Sequence, residues 1–131
     1  MAQSYSIFDL FGVERQNHVI YVVRSAHEVK YVGLADVQAV QARIARHIGG
    51  AFDRDRPTKF SAILFEHYPE YLKWKVELLT LTDVKKLTRQ KVGCLPCAER
   101  AVYDHYKDVY GEPAAGNGGR PGKKCTCGLA S

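Results

Sequence analysis

Two short runs of mostly β-branched residues, separated by a few polar ones, constrain this chain more than any other feature. The runs cover residues 19–23 and 29–33. Such a pattern is typical of a β-hairpin, because β-branched and aromatic side chains favour extended backbone. Tyr21 and Tyr31 lie equally far from Ala26, so a turn centred there would place the two tyrosines opposite each other on one face.

A helix is predicted directly after the hairpin, over residues 37–48. Asp36 is suited to cap its first turn, and Gly49 and Gly50 would end it. Its apolar side chains recur at helical spacing and form one stripe: Val37, Val40, Ile44 and Ile48. This stripe is the face that the helix should pack against the sheet.

Three basic side chains of this helix lie off the apolar stripe. At about 100° per residue, Arg43 and His47 lie to one side of the stripe, whereas Arg46 points almost directly away from it. We therefore expect Arg43 and His47 where the helix meets the sheet edge. Arg46 should face solvent, where it is available for contact with a phosphate.

The rest of the chain supplies further elements of an α/β fold. They are, in chain order, a charged loop over 51–57, a helix over 58–68, a strand over 74–81, a basic turn capped by Thr82 and Asp83, and a helix from Pro96 to Tyr110 closed by Gly111. The predicted order is β-β-α-α-β-α. The predicted fold class is α/β (α+β), a small layered sandwich in which helices flank a central three-stranded antiparallel sheet.

Two of these later elements have clear apolar faces. In the strand, Trp74, Val76 and Leu78 alternate onto one face. The stripe of the last helix consists of Ala98, Val102, Tyr106 and Val109. Glu99 lies about 60° off that stripe, so we expect its carboxylate at the border of the buried face.

Length and charge narrow the class of protein. A chain of 131 residues is most simply one domain, and we divide it into an N-terminal arm (1–17), a folded domain (18–117) and a basic tail with glycine and cysteine (118–131). The arm is either a short helix packed on the domain or a segment that holds a partner. A net charge of +5 favours a polyanionic partner. We see no basic leader and no apolar run of about 20 residues, so we expect a soluble, cytoplasmic protein without membrane contact.

The four cysteines form two closely spaced pairs. Cys94 and Cys97 make a C-x-x-C pair, and Cys125 and Cys127 make a C-x-C pair about thirty residues later. Four thiolates could bind a structural Zn²⁺ ion that joins the tail to the start of the last helix. The alternative is four reduced thiols without a metal.

Five short motifs occur in an order that resembles the GIY-YIG nuclease family. They are Val19-Ile20-Tyr21, Tyr31-Val32-Gly33, Arg43-x-x-Arg46-His47, Glu99 and Asn117. Val19 stands where the family usually has glycine. The resemblance covers about residues 19–117, and the family's order of strands and helices is the one predicted above.

The resemblance implies a metal-dependent endonuclease, a phosphodiester hydrolase that acts on DNA. It places one Mg²⁺ or Mn²⁺ ion on Glu99 and the scissile phosphate against Arg43. Tyr21 is the preferred general base or water-positioning group, a role that requires a strongly lowered pKa. Tyr31 would hydrogen-bond water or phosphate, and His47 would orient Tyr21 or relay its proton.

Three further residues are candidates for substrate binding: Lys30, Arg46 and Asn117. The chain has little room for a separate element that reads bases. Sequence specificity would therefore come from the N-terminal arm, the loop over 51–57 or the tail, from a homodimer, or from a fused or separate specificity partner. RNA stays open as an alternative substrate.

Each candidate residue also has an ordinary structural explanation. Paired tyrosines are common in sheets, basic clusters usually lie on solvated helix faces, and an acid in a helix's first turn favours its dipole. Two functions other than hydrolysis fit these explanations. One is a nucleic-acid-binding module with a vestigial site, and the other is a Cys-rich interaction domain.

Overall fold

The predicted hairpin forms part of a four-stranded antiparallel sheet in the computed structural model, which describes residues 2–53 and 58–121. The strands are β1 (Gln3–Ser6), β2 (Val19–Arg24), β3 (Val29–Ala35) and β4 (Lys75–Leu79). They pair in the order β1-β4-β2-β3, so the hairpin strand β3 lies at one edge. The predicted fold class is confirmed, although the sheet has one strand more than expected.

The additional strand comes from the N-terminal segment. Gln3–Ser6 pairs with β4, and the short helix α1 (Ile7–Leu10) follows at once. Ile7 and Leu10 are fully buried, so the segment packs on the domain, which was one of the two alternatives left open for it. The sequence of β1 is polar, and an edge strand with little burial shows no apolar alternation that would reveal it.

Helices of the described residues cover both faces of the sheet. Besides α1 they are α2 (Val40–Asp53), α3 (Lys59–Glu66), α4 (Leu81–Thr88) and α5 (Leu95–Tyr110), with a 3-10 turn at Glu70–Lys73. Helices α1, α2 and α3 pack on one face and α4 and α5 on the other, which makes the predicted layered sandwich. None of these helices is both long and apolar enough to cross a bilayer.

The register of the hairpin differs from the prediction. Tyr21 lies opposite Gly33, and Tyr31 lies opposite Val23. The turn closes where the Ser25 amide donates to the Glu28 carbonyl at 2.9 Å, and a bulge then leaves one extra residue in β3. Since an extra residue shifts every later pairing, the tyrosines become diagonal neighbours on one face, with ring centroids 5.9 Å apart.

Helix α2 begins and ends later than predicted. Val37 precedes the helix and is 84% exposed, so it is not part of the buried stripe. The helix also continues through Gly49 and Gly50 to Asp53, because a glycine inside a helix costs only about 1 kcal/mol, which tertiary packing can outweigh. Residues 51–53 of the predicted loop are therefore helical, and residues 54–57 lie outside the described part of the chain.

The caps of the later helices agree only partly with the sequence analysis. Thr80, not Thr82, caps α4, and it forms a reciprocal capping box with Asp83. Helix α5 begins one residue before Pro96 and ends at Gly111, whose φ of +79° is the left-handed conformation that glycine adopts without strain. Val109 is exposed, so the predicted stripe of α5 ends at Tyr106.

Candidate active site

Arg43 and His47, the two site candidates on α2, lie where the sequence analysis predicted them. Arg43 and His47 are half-buried at the border between α2 and the sheet, whereas Arg46 is exposed. The buried residues Val40 and Ile44 fix the rotation of α2, so the side chains beside them face the sheet edge. Tyr21 and Tyr31 point toward the same layer from β2 and β3.

A stack of rings holds Tyr31 and His47 in place. The Phe60 ring from α3 lies parallel to the Tyr31 ring, with centroids 4.5 Å apart and planes at 10°. The His47 ring meets both rings edge-on, with its centroid 5.1 Å from each. Phe60 lies within the helix predicted over 58–68, and the sequence gave no signal that this ring supports the site.

A chain of hydrogen bonds fixes which nitrogen of His47 carries the proton. The Ser61 hydroxyl donates to the His47 carbonyl at 2.7 Å, so its only proton is used there. The Thr58 hydroxyl, 2.9 Å from Ser61 Oγ, must then donate to it. Thr58 Oγ1 is left to accept from His47 Nδ1, 3.0 Å away. Neutral His47 is therefore protonated at Nδ1, and its Nε2 carries a free lone pair.

The electrostatic surroundings keep His47 neutral. Burial disfavours the imidazolium, and the positive charges of Arg43 and Arg46 disfavour it further, which lowers the pKa of His47 to about 4. At neutral pH the imidazole therefore has an unprotonated nitrogen. A group in this state can accept a proton from a water molecule.

Tyr21 lies directly over a glycine of the neighbouring strand. A Cβ added to Gly33 would approach Cζ of the Tyr21 ring to 2.3 Å, so only glycine leaves room for the ring. This explains the glycine of the Tyr31-Val32-Gly33 motif in physical terms, since the pairing of Tyr21 with Gly33 brings ring and backbone together.

The pKa of Tyr21 moves opposite to the direction that a general base requires. Burial raises this pKa, the neighbouring Tyr31 raises it further, and Arg43 offsets only part of the effect. The phenol therefore stays protonated at neutral pH. Within residues 2–53 and 58–121, neither the Tyr21 hydroxyl nor Nε of Arg43, both buried, has a hydrogen-bond partner of ordinary geometry. Buried polar atoms of this kind commonly bind a ligand or water.

Glu99 reaches the same region from the other side of the sheet. Helix α5 packs on the opposite face, with Ala98 and Val102 buried there, and Glu99 is half-buried at the border, as predicted. Glu99 and Arg43 line one groove of about 340 Å³ at the end of β3. The remaining residues that line it are Leu34, Asp36, Val37 and Gln38.

Burial also perturbs Glu99. It raises the pKa of this carboxyl to about 7, although the positive charge of Arg43 acts in the opposite direction. The carboxylate is thus poorly solvated when it is ionised. A bound cation would restore the charge compensation that water supplies elsewhere.

Asp36 lines the groove, although the sequence analysis predicted it as the N-cap of the helix after the hairpin. Helix α2 starts four residues later, at Val40, so Asp36 is not at its N-cap position, and its carboxylate lies 2.8 Å from Nδ1 of His18. Its position three residues after the predicted strand over 29–33 was the only available signal, because loop residues that follow strands often line sites.

Three candidates for substrate binding are not part of this cluster. Lys30 forms an ion pair with Glu28, and its ammonium lies 5.5 Å from the Trp74 ring centroid near the hairpin turn. Asn117 is buried, and its amide both donates to and accepts from the backbone of Val32 at 2.9 Å. Asn117 therefore covers the edge strand β3. Arg46 stays in solvent on the adjacent helix face.

The groove offers carboxylate oxygens, the ligands that a hard divalent cation prefers. In the described ranges no three His, Cys, Asp or Glu side chains gather in a way that could enclose a metal ion. Mg²⁺ keeps several waters and often takes only one or two protein carboxylates, so the two carboxylates of this groove, Glu99 and Asp36, fit such an ion. Cys125 and Cys127 lie outside the described residues.

Comparisons with known proteins add no family assignment. The chain matches no protein-family model, and no curated protein and no solved structure matches it significantly.

Proposed function

We propose that the protein is a magnesium-dependent endonuclease that hydrolyses phosphodiester bonds in DNA. One observation carries this proposal: four elements, β2, β3, α2 and α5, bring two tyrosines, a histidine and a glutamate around one arginine. The residues are Tyr21, Tyr31, His47 and Glu99 around Arg43, whose positive charge lowers the pKa of each of the other four. The motifs that resemble the GIY-YIG family supply the same five residues.

Arg43 and Glu99 are suited to the charges of the reaction. A phosphodiester gains negative charge on its oxygens as water attacks, and the Arg43 guanidinium can stabilise that charge. Glu99 would hold Mg²⁺ or Mn²⁺, with Asp36 as a second carboxylate in the groove. When bound, this ion acts as a Lewis acid that offsets further phosphate charge.

We assign the proton transfers to His47 and the tyrosines. His47 would accept the proton of the attacking water at Nε2, because its Nδ1 proton is engaged by Thr58. Tyr21 and Tyr31, whose pKa values are raised mainly by burial, would act as hydrogen-bond donors to phosphate or water. The resemblance implies Tyr21 as the base, a role that requires a lowered pKa, whereas burial raises the pKa of Tyr21.

The net charge and the exposed Arg46 support a polyanionic substrate. Charge alone does not separate DNA from RNA, nor hydrolysis from simple binding. The shifted pKa values of His47 and Glu99 beside Arg43 favour hydrolysis over the binding-module alternative, because perturbed acid–base groups cluster at catalytic sites and phosphate binding alone does not require them. We expect the enzyme to act in the cytoplasm, as a homodimer or with a separate specificity partner.

A plasmid nicking assay with Mg²⁺ tests the proposal. We expect wild type to convert supercoiled plasmid to open circles, and Glu99→Gln to be slower by about 100-fold, as for loss of a metal ligand or its support. Glu66→Gln is the matched control, because Glu66 is an exposed acid on α3 outside the groove. This variant should nick at the wild-type rate.

A gel shift with the same DNA separates the alternatives. Binding should fall with salt for all three proteins, because backbone contacts release counterions whether or not cleavage follows. Plasmid left intact by wild type, despite such a shift, would overturn the enzyme assignment and favour the binding module. Cleavage of RNA but not of DNA would retain the site and change the substrate.

A further inference from the structure

Exposed aromatic side chains gather on the face of the domain that α1, α2 and α3 cover. Phe8 is 70% exposed and Tyr68 is 59% exposed. Soluble proteins that act as monomers seldom leave a large apolar patch open to water, so such a patch indicates an interaction surface. We call the patch the aromatic face, and its members are Phe8, Phe11, Phe52, Phe65 and Tyr68.

The aromatic face is continuous. Phe8 and Phe11, on α1 and at its C-cap, are three residues apart and therefore neighbours on the helix surface. The Phe52 ring meets the Tyr68 ring edge-on with centroids 5.3 Å apart, and its centroid lies 6.3 Å from that of Phe65. A groove of about 530 Å³ joins the two groups, and it is lined by Ser6, Phe8, Pro69, Leu72, Lys73 and Lys75.

The exposed aromatic area is large enough for a stable protein interface. At about 200 Å² for each fully exposed aromatic residue, the five members leave about 500 Å² open to solvent. A standard interface buries about 800 Å² on each partner, of which about 450–520 Å² is apolar. The aromatic face alone therefore supplies the apolar part of one such interface.

The charges beside the aromatic face are of both signs. Asp9 lies between Phe8 and Phe11 in the sequence, and Asp53 follows Phe52, whereas Lys73 and Lys75 line the groove. All four are exposed, and no ion pair within residues 2–53 and 58–121 engages them. A mixed rim can pair with a second copy of itself, since acids of one copy can face lysines of the other. A nucleic-acid strand stacked on these rings would instead meet the two acids.

We propose that the aromatic face binds a second copy of this chain in a dimer with two-fold symmetry. In such a dimer the same patch of each copy forms the interface. The Phe8 ring of each copy enters the groove beside Pro69 and Leu72 of the other copy. A large aromatic side chain in a central pocket is the typical energetic anchor of an interface.

This dimer leaves the groove with Glu99 and Arg43 open to substrate. Phe52 lies nine residues after Arg43 on α2, which is about 14 Å along the helix axis. The inference makes specific the homodimer that the proposed function allows, but it does not depend on hydrolysis. A wild-type monomer that nicks plasmid would overturn only the dimer. A wild-type dimer that leaves plasmid intact would overturn only the nuclease assignment.

Sedimentation velocity of the full chain at about 1–100 μM tests the interface. We expect wild type to sediment with twice the chain's mass of 14.7 kDa. Phe8→Glu and Tyr68→Glu should each weaken the dimer by about 100-fold or more, because each places a charge in the apolar centre of the interface. Val109→Glu is the matched control, since Val109 is an equally exposed apolar residue on α5, on the opposite face. This variant should remain a dimer.

Thermal unfolding separates a lost dimer from a damaged fold. The melting temperature of wild type should rise with protein concentration, as linkage to association requires. Phe8→Glu should unfold cooperatively at a temperature independent of concentration, because its side chain is exposed in the single chain. A monomeric wild type at 100 μM would overturn the proposal. A dimer lost in Val109→Glu but retained in Phe8→Glu and Tyr68→Glu would also overturn it, as would a monomer that uses these aromatic residues to bind single-stranded oligothymidine.

Discussion

Replacing Glu99 by glutamine should stabilise the protein while it abolishes cleavage. Glu99 is half-buried, and burial raises its pKa from 4.5 to about 7. Above pH 7 the folded protein must therefore keep an ionised carboxylate in a poorly solvated place, whereas the unfolded chain exposes it to water. Glutamine has nearly the same shape and never ionises.

The size of the effect follows from the pKa and from pH. A carboxyl whose pKa is raised on folding destabilises the folded state above its folded pKa, and the penalty vanishes below its unfolded pKa. At 1.36 kcal/mol per pKa unit the full penalty is about 3 kcal/mol, and partial solvation of Glu99 reduces it to about 1.5 kcal/mol. For a chain of this size that corresponds to a melting temperature about 5 °C higher for Glu99→Gln.

Urea unfolding of wild type and Glu99→Gln, without added magnesium, measures this difference. At pH 8 the variant should be more stable, and at pH 5 its advantage should shrink by more than half. A Glu99→Gln variant that is less stable than wild type at pH 8, or a difference independent of pH, would refute the reasoning. Glu66→Gln should leave the free energy of unfolding unchanged at both pH values, since Glu66 is exposed.

Three other predictions follow from the packing around the site. Gly33→Ala should lower the free energy of unfolding by about 3 kcal/mol, because its Cβ would overlap the buried Tyr21 ring. Gly49→Ala, whose Cβ contacts nothing, should raise the free energy of unfolding by about 0.5–1 kcal/mol. Equal effects of the two variants in denaturant unfolding would contradict the close approach of Tyr21 to Gly33. Asn117→Ala should cost about 2 kcal/mol, since two backbone bonds at the sheet edge are lost, and an unchanged midpoint would show that water replaces them. An NMR titration of His47 should give a pKa of about 4, and the neutral imidazole should carry its proton on Nδ1. Because the unfolded chain binds this proton at a higher pH, the free energy of unfolding should fall as the pH drops from 6.5 toward 4. A titration near pH 6.5 would contradict the burial of His47.

Much of the fold was predictable because its elements are marked locally. The hairpin, the strand at Lys75–Leu79 and the last helix all combine clear periodicity with a turn or cap signal. Strand β1 was missed because a polar edge strand depends on its partner rather than on its own composition. The end of α2 was wrong because tertiary contacts, such as the burial of Ala51, override two glycines.

The site was predictable residue by residue only in part. Helical phase correctly placed Arg43 and His47 at the sheet border, because it depends on buried neighbours that are evident in the sequence. The bulge at Lys30 could not be predicted, and it determines that Tyr21 lies over Gly33. The direction of a pKa shift also depends on burial and on charges from other elements. The raised pKa of Tyr21 could therefore not be predicted from the sequence.

The most direct test of the nuclease assignment is the single-turnover rate of plasmid nicking in Mg²⁺, measured from pH 5.5 to 8.5. Wild type should cleave faster as pH rises and level off once Glu99 is ionised, at or below its metal-free pKa of about 7 because Mg²⁺ favours the carboxylate. Glu99→Gln should stay near background throughout. Equal rates for the two proteins at every pH would contradict the assignment of Glu99 and with it the proposed site.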